Sequence, residues 1–250
     1  DLEKGRCPVC HTIWGVRDVS FQLYPGEILG IVGESGSGKS TLLKTLYFDQ
    51  PATSGEATLT MYQNGKANIL EASSQQRRYL RNHLMGMVYQ NPMLGLRMNI
   101  SSGANIAEKL IAAGSRNAGR MIARSSQLLE HVEIPVERLR DQPRVFSGGM
   151  QQRVQISKAI ANNPPILLLD EVTTGLDLSV QAKVLDLIRT IQQELGIAMM
   201  IVSHDLSVIR MMSDRTMVML GGRVVEEGLT DQILEDPLHA YTQTLVSSLL

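Results

Sequence analysis

Residues 33–40 read GESGSGKS, and this stretch decides the fold. It satisfies the pattern GxxxxGK(S/T), in which glycines let the backbone wrap tightly so that its N–H groups converge on phosphate oxygens. The apolar run EILGIV at 27–32 predicts a buried strand before the loop, and a helix is predicted from Lys39 to about Leu46. This order of elements predicts a nucleotide-phosphate site at the carboxyl edge of a mostly parallel α/β sheet.

The loop also supplies side chains suited to a nucleotide and its metal ion. A lysine at the seventh position places a positive charge between the β- and γ-phosphates, and the hydroxyl that follows suits Mg²⁺. The predicted nucleotide-binding residues of this segment are Gly33, Glu34, Ser35, Gly36, Ser37, Gly38, Lys39, Ser40 and Thr41. The alternative, a glycine-rich turn without a ligand, is disfavoured because a strand precedes the loop and a helix follows it.

A second apolar stretch, 166–169, ends in two carboxylates, Asp170 and Glu171. An acid at this strand end lies beside the phosphate loop, where Asp170 is predicted to hold Mg²⁺ through water, and Glu171 is predicted to orient and polarise the attacking water. The pattern is weak alone, because many buried strands end in acids. Its weight comes from the pairing with the phosphate loop.

The remaining chain continues the alternation of strands and helices. Residues 198–202 predict a strand that ends in Ser203-His204-Asp205, followed by a helix over 206–212, and 217–225 predict a hairpin about Gly221-Gly222. Between 70 and 145 the composition shifts toward Arg, Ser, Gln and Ala, with helical periodicity over 121–132 and glycine and asparagine breaks at 98–105 and 114–119. We therefore predict one domain over 1–250 with a helical subdomain inserted at 70–145.

Residues 146–153 read FSGGMQQR and lie just upstream of Asp170. They resemble the signature motif of the ABC-type ATPases, and Gln90, Asp177 and His204 match the Q-loop, D-loop and switch positions of that family in order. The resemblance covers nearly the whole chain. It implies a P-loop NTPase fold with a RecA-like, mostly parallel sheet core, an antiparallel β subdomain and an inserted helical subdomain. It also implies ATP and Mg²⁺ as ligands.

The resemblance further implies a dimer with a second ABC ATPase subunit, itself or a paralogue, that sandwiches two ATP molecules. The residues expected to meet the partner's nucleotide are Ser147, Gly148, Gly149 and Asp177. The expected catalytic residues are Glu171, His204, which would hydrogen-bond the γ-phosphate, and Gln90. The expected Mg²⁺ ligands are Ser40, Gln90 and Asp170.

Two positions depart from the family pattern, and the aromatic residue that the family stacks on adenine has more than one candidate position. Val172 replaces the proline that usually follows the catalytic glutamate, which we expect to alter loop stiffness without loss of activity. Met150 stands where glutamine is commonest, a variant similar to peptide-importer ATPases. Trp14 is a candidate to stack on adenine, but it could equally pack on the first strand, and the stacking residue could lie upstream of the chain.

The chain begins at Asp1 and enters a strand-like stretch almost at once, so we expect an N-terminal piece to be missing. Cys7 and Cys10 form CPVC, which is one half of a zinc site whose second pair would lie in that piece, or else two ordinary thiols. The c-type haem pattern CxxCH is also satisfied at 7–11, but nothing else supports export or a haem fold.

Composition excludes several functions. The net charge is −1 and aromatic residues are 4% of the chain, so there is no basic field or stacking platform for nucleic acid. The longest apolar runs are too short for membrane insertion, and no signal peptide opens the chain. The expected compartment is the cytoplasm.

Two functional classes remain open. Segments at 89–92, 95–97, 103–106, 132–135 and 245–248 resemble the ATP-binding subunits of the bacterial phosphonate carbon–phosphorus lyase system. That resemblance implies coupling of ATP hydrolysis to the lyase core complex. The segment DPLHAYT at 236–242 is similar to the tails of oligopeptide, dipeptide and nickel importer ATPases, which act with membrane permease subunits. We favour the first class, and a scaffold without hydrolysis is disfavoured because Glu171 and His204 are both present.

Overall fold

The computed structural model describes residues 14–247, which form a mixed six-stranded sheet covered by helices. The strands are β1 Ile28–Val32, β2 Met85–Val88, β3 Ile166–Asp170, β4 Ala198–Val202, β5 Arg215–Leu220 and β6 Arg223–Leu229. Their order across the sheet is β2-β3-β4-β1-β5-β6. Neighbouring strands are parallel except for the antiparallel pair β5–β6.

The apolar runs become central strands because both faces of the sheet are covered. Every residue of β1, β2, β3 and β4 is buried. Successive residues point to opposite faces, so Leu167 and Leu169 join one apolar layer while Ile166 and Leu168 join the other. A strand buried on both faces has no polar alternation, which explains why these segments are almost continuously apolar.

Ten α-helices lie within the described residues, and three of them, α1, α5 and α8, fall in the stretches for which an individual helix was predicted. They are α1 Lys39–Leu46, α2 Ser74–Tyr79, α3 Pro92–Gly95, α4 Ser102–Ala112, α5 Ala118–His131, α6 Gly148–Ala159, α7 Leu178–Leu195, α8 Leu206–Met212, α9 Thr230–Glu235 and α10 Ala240–Ser247. Side-chain caps define several starts: Asn117 accepts from Arg120 N at 2.9 Å at the start of α5, and Asp205 accepts from Ser207 N at 2.8 Å at the start of α8.

The helical segment differs in extent from the prediction. The predicted range 70–145 includes β2, which is an edge strand of the sheet, and the helices between β2 and β3 run from α3 to α6. Four apolar residues are too few to distinguish a strand from a helix by periodicity, so composition assigned β2 to the wrong layer. The predicted break at 98–105 is also wrong in part, because α4 begins at Ser102 and contains Gly103 and Asn105.

The antiparallel part of the fold is the hairpin of β5 and β6. It turns at Gly221 and Gly222, whose φ angles of 55° and 82° are left-handed, as a tight hairpin turn requires. The hairpin prediction is confirmed, with longer strands than expected. Residues 16–23 and 57–62 pack apolar side chains on the same layer as α1 but form no strand, so the antiparallel pairing within residues 14–247 is that of β5 and β6.

Within residues 14–247, no helix combines the length and the apolar character that crossing a bilayer requires.

Candidate nucleotide-binding site

The phosphate loop joins β1 to α1 in a backbone conformation that needs glycine. Gly36 and Gly38 have φ angles of 81° and 102°, and a Cβ at Gly38 would lie 2.1 Å from the carbonyl oxygen of Gly15. The ammonium of Lys39 is buried and donates to the carbonyl oxygens of Gly33 and Glu34, each at 2.8 Å. Burial lowers the pKa of Lys39, against the opposing charges of nearby carboxylates. The loop therefore holds the Lys39 ammonium against its own backbone carbonyl groups.

Ser40 and Asp170 meet at the start of α1 and the end of β3. The Ser40 hydroxyl donates to Asp170 Oδ1 at 2.6 Å, although 130 residues separate them in the chain. Asp170 is 3% exposed, and burial raises its pKa while the Ser40 hydrogen bond and Lys44 lower it. A hydroxyl and a buried carboxylate side by side are hard oxygen donors of the kind that Mg²⁺ prefers.

Three side chains converge on one oxygen of Glu171. Gln90 Nε2 donates to Glu171 Oε2 at 2.9 Å, Thr174 Oγ1 donates to it at 3.2 Å, and His204 Nδ1 lies 3.4 Å from it. Glu171 has a φ of 46°, which is rare for a residue with a side chain, and its N–H donates to Val202 O at 3.0 Å. The structure thus brings together the three predicted catalytic residues. Thr174 was missed, since a threonine in a turn carries no distinguishing signal.

The signature and D-loop residues stand at helix starts. Ser147 caps α6 by accepting from Met150 N at 3.4 Å, and Asp177 caps α7 by accepting from Val180 N at 3.0 Å. The Val180 N–H and then the Ser179 hydroxyl lower the pKa of Asp177. In residues 14–247 no hydrogen bond or ion pair joins the segment 147–149 to the phosphate loop.

The sequence model of the family described as "ABC transporter" matches residues 16–174. This chain belongs to the ABC transporter family. It is 49% identical over 236 residues to the putative phosphonates utilization ATP-binding protein PhnK of Escherichia coli K12, covering 94% of this chain and 92% of that protein. It is 37% identical over 239 residues to the oligopeptide transport ATP-binding protein OppF of Bacillus subtilis, covering 95% of this chain and 77% of that protein. The dimeric ATP-binding cassette MJ0796 bound to ADP and Pi matches with a TM-score of 0.77 and 29% identity, over 86% of this chain and 90% of that one.

The site of this ABC ATPase fits MgATP by the chemistry of its donors. The loop offers backbone N–H groups and a buried ammonium for phosphates, and the Ser40–Asp170 pair offers oxygens for the cation. The predicted family assignment, its P-loop ATPase class and its α/β fold are confirmed.

The backbone at Tyr89 and Gln90, the predicted Q-loop, is held by two buried glutamines that the sequence analysis did not single out. Gln155, on α6, accepts from Tyr89 N at 2.8 Å and donates to Tyr89 O at 3.0 Å and to Gln152 Oε1 at 2.8 Å. Gln152 donates to Gln90 O at 3.0 Å. Gln155 and Gln152 are 1% and 2% exposed. Helix α6, which begins at the predicted signature motif and is called the signature helix below, therefore holds the backbone from which Gln90 reaches Glu171.

The remaining site predictions concern the N-terminal segment. Trp14 is 43% exposed, and the backbone of residues 14–15 lies against Gly38, Thr41 and Gly222. Trp14 therefore stands next to the phosphate loop rather than inside the core, and adenine stacking stays a prediction. Cys7 and Cys10 lie outside the described residues, so the zinc hypothesis also stays a prediction.

Proposed function

We propose that this ABC ATPase hydrolyses MgATP with Glu171 orienting the attacking water, and that hydrolysis drives a change in a phosphonate carbon–phosphorus lyase complex. The observation that carries the catalytic part is the convergence of Gln90, Thr174 and His204 on one oxygen of Glu171. A carboxylate held from several sides is preorganised to position a water molecule.

The other predicted residues take roles around this centre. Lys39 and the backbone of the loop bind the β- and γ-phosphates, while Ser40, Asp170 and Gln90 hold Mg²⁺. When bound, Mg²⁺ neutralises charge that develops on the phosphate oxygens. His204 hydrogen-bonds the γ-phosphate and keeps Glu171 aligned with the water.

A second ABC ATPase subunit, a copy of this chain or a paralogue, completes the site. The helix start at 147–149 has backbone N–H groups suited to a γ-phosphate, and it makes no hydrogen bond to its own loop within the described residues. Ser147, Gly148 and Gly149 therefore bind the partner's ATP, with Asp177 at the same interface. The dimeric ATP-binding cassette MJ0796 bound to ADP and Pi supports this arrangement.

The phosphonate assignment rests on relatedness. PhnK is 49% identical and is covered over 92% of its length, whereas OppF is 37% identical and is covered over 77%. The partner is then the lyase core complex, in the cytoplasm, with neither nucleic acid nor membrane insertion involved. The second candidate is the ATPase subunit of a peptide or nickel importer acting with membrane permeases, which the similarity to OppF favours.

Substitutions that separate binding from cleavage test the catalytic part. Glu171→Gln should keep ATP affinity, nearly abolish phosphate release and accumulate an ATP-bound dimer, because only the orientation of water is lost. Lys39→Ala should lose nucleotide affinity itself. Glu130→Gln, which makes the same chemical change at an exposed position of α5, is the matched control. Hydrolysis by Glu171→Gln at close to the wild-type rate would show that the assigned role is wrong.

Co-purification without detergent tests the partner. Residues 91–106 follow the Q-loop, and Met93 and Leu94 on α3 are 68% and 65% exposed. Arg97 is exposed but paired with Glu108 at 2.8 Å, and Met98 packs partly on the core, so Leu94→Glu is a cleaner probe than a change at either of those two positions.

Leu94→Glu should reduce recovery of lyase subunits by a tagged chain. Leu229→Glu should not, because it changes an exposed leucine at the opposite edge of the sheet. Recovery of a permease, with no lyase subunits under any nucleotide condition, would move the assignment to the importer class.

A further inference from the structure

The C-terminal helix α10 reaches the phosphate loop through one side chain. The hydroxyl of Tyr241 accepts a hydrogen bond from the backbone N–H of Glu34 at 2.7 Å, across 207 positions of sequence. Burial raises the pKa of this phenol, against a smaller lowering by the Glu34 N–H, so it stays neutral at physiological pH. Tyr241 belongs to the DPLHAYT segment, to which the proposed catalytic cycle assigns no role.

The rest of α10 is held independently of that hydroxyl. The carboxylate of Glu226, on β6, accepts from Leu238 N at 2.7 Å and from His239 N at 3.1 Å, which fixes the turn before the helix. Thr242 is fully buried, and the side chains of Tyr241 and Val246 pack against the main core. Loss of the phenol oxygen alone should therefore leave the helix docked.

The backbone of Glu34 is held at both its N–H and its carbonyl oxygen. Its carbonyl oxygen accepts from Lys39 Nζ at 2.8 Å and from Ser37 N at 3.2 Å, and its N–H is held by Tyr241. Within residues 14–247, Lys39 and Tyr241 are the two side chains that hydrogen-bond the Glu34 backbone. Lys39 also binds the phosphates in the proposed function, so a bound nucleotide competes with the Glu34 carbonyl oxygen for the N–H groups of Lys39. The hydrogen bond from Glu34 N to Tyr241 is then more important for holding Glu34 in position.

We propose that Tyr241 is a positioning residue that holds the start of the phosphate loop in its nucleotide-binding form. The coupling is reciprocal: if docking of α10 favours nucleotide binding, then nucleotide binding must favour docking of α10 by the same factor. The proposal rests on the phosphate loop being the ATP site and adds the C-terminal segment to that site.

Tyr241→Phe removes the oxygen and keeps the ring. The dissociation constant of a fluorescent ADP analogue should rise about three- to tenfold, as expected for one hydrogen bond to a partly exposed N–H. Hydrogen exchange of residues 240–247 should slow on addition of ADP in the wild type, and this effect should be lost in Tyr241→Phe. Tyr24→Phe is the matched control, because its hydroxyl bonds Gln22 at 2.6 Å on the exposed surface.

A second variant acts on the helix without touching the loop. Glu226→Gln should loosen the turn before α10, speed exchange of 240–247 and weaken ADP binding. The proposal is overturned if Tyr241→Phe binds ADP as tightly as the wild type and retains ADP-dependent protection of α10. It is equally overturned if α10 opens in Glu226→Gln with no change in ADP affinity. Lys39→Ala keeps the two ideas separate, since unchanged ADP affinity in that variant would contradict the nucleotide site itself.

Discussion

Gln155→Met tests whether the signature helix positions the Q-loop. Methionine has nearly the same length and volume, so packing is kept while three hydrogen bonds are lost: those to Tyr89 N, Tyr89 O and Gln152 Oε1. Tyr89 O retains a contact from Gln152 Nε2 at 3.4 Å. The groups left unpaired are therefore the Tyr89 N–H and the Gln152 carbonyl oxygen.

Each of the two unpaired groups costs about 1–3 kcal/mol, so the free energy of unfolding should fall by roughly 2–6 kcal/mol. For a chain of this size that corresponds to a fall in Tm of about 4–24 °C. The brace also sets the backbone of Gln90, whose amide lies 2.9 Å from Glu171. We therefore expect kcat to fall about tenfold or more, with a smaller change in nucleotide affinity, because the phosphate loop is not touched.

Thermal melting of the nucleotide-free protein, phosphate release and binding of an ADP analogue measure these three quantities. Gln193→Met is the control, since it makes the same change at an exposed position of α7. A Gln155→Met protein with the Tm and kcat of the wild type would refute the idea that this brace matters. A fall in Tm with an unchanged kcat would show that the hydrogen bonds of Gln155 stabilise the fold but do not position Gln90 for catalysis.

Three further predictions follow from burial, packing and charge. Asp170→Asn should raise the Tm of the nucleotide-free protein while hydrolysis falls, because burial disfavours the ionised carboxylate and raises its pKa; a lower Tm would contradict this. Gly149→Ala should cost about 1–3 kcal/mol in urea unfolding, since its Cβ would lie 2.3 Å from Val180 Cγ1, and Val180→Ala should restore much of that loss; simple additivity would argue against the clash. Burial would raise the pKa of Glu226, but the adjacent Thr242 side chain, the backbone N–H groups of Leu238 and His239 and the charge of His239 lower it. Its stabilisation is therefore present above the ordinary pKa of about 4.3 and lost as pH falls through the lower folded value, where the protection of 240–247 from hydrogen exchange, relative to the intrinsic rate at each pH, should fall; protection that falls on raising the pH instead would contradict the sign.

Local chemistry made much of the site predictable. The phosphate loop is recognisable because phosphate binding needs left-handed glycines and a lysine within a few residues of one another. The whole pattern therefore lies in one short stretch of sequence. Asp170 and Glu171 are recognisable because two acids end a buried strand in a chain that also carries the phosphate loop; without that loop the pattern would be weak. The family resemblance then supplied Gln90 and His204, and the structure places both within 3.4 Å of Glu171.

Tertiary structure alone decided which polar residues support those groups. Gln155 lies in α6, whose many polar residues are typical of a solvated helix. It is nevertheless 1% exposed, because α6 packs on the loop after β2. Tyr241 meets Glu34 across 207 positions, and β2 joins the sheet although its sequence neighbours are helical. Such contacts form only when helices and strands that are distant in the sequence pack together. The residue type at one position does not indicate which distant element will pack against it.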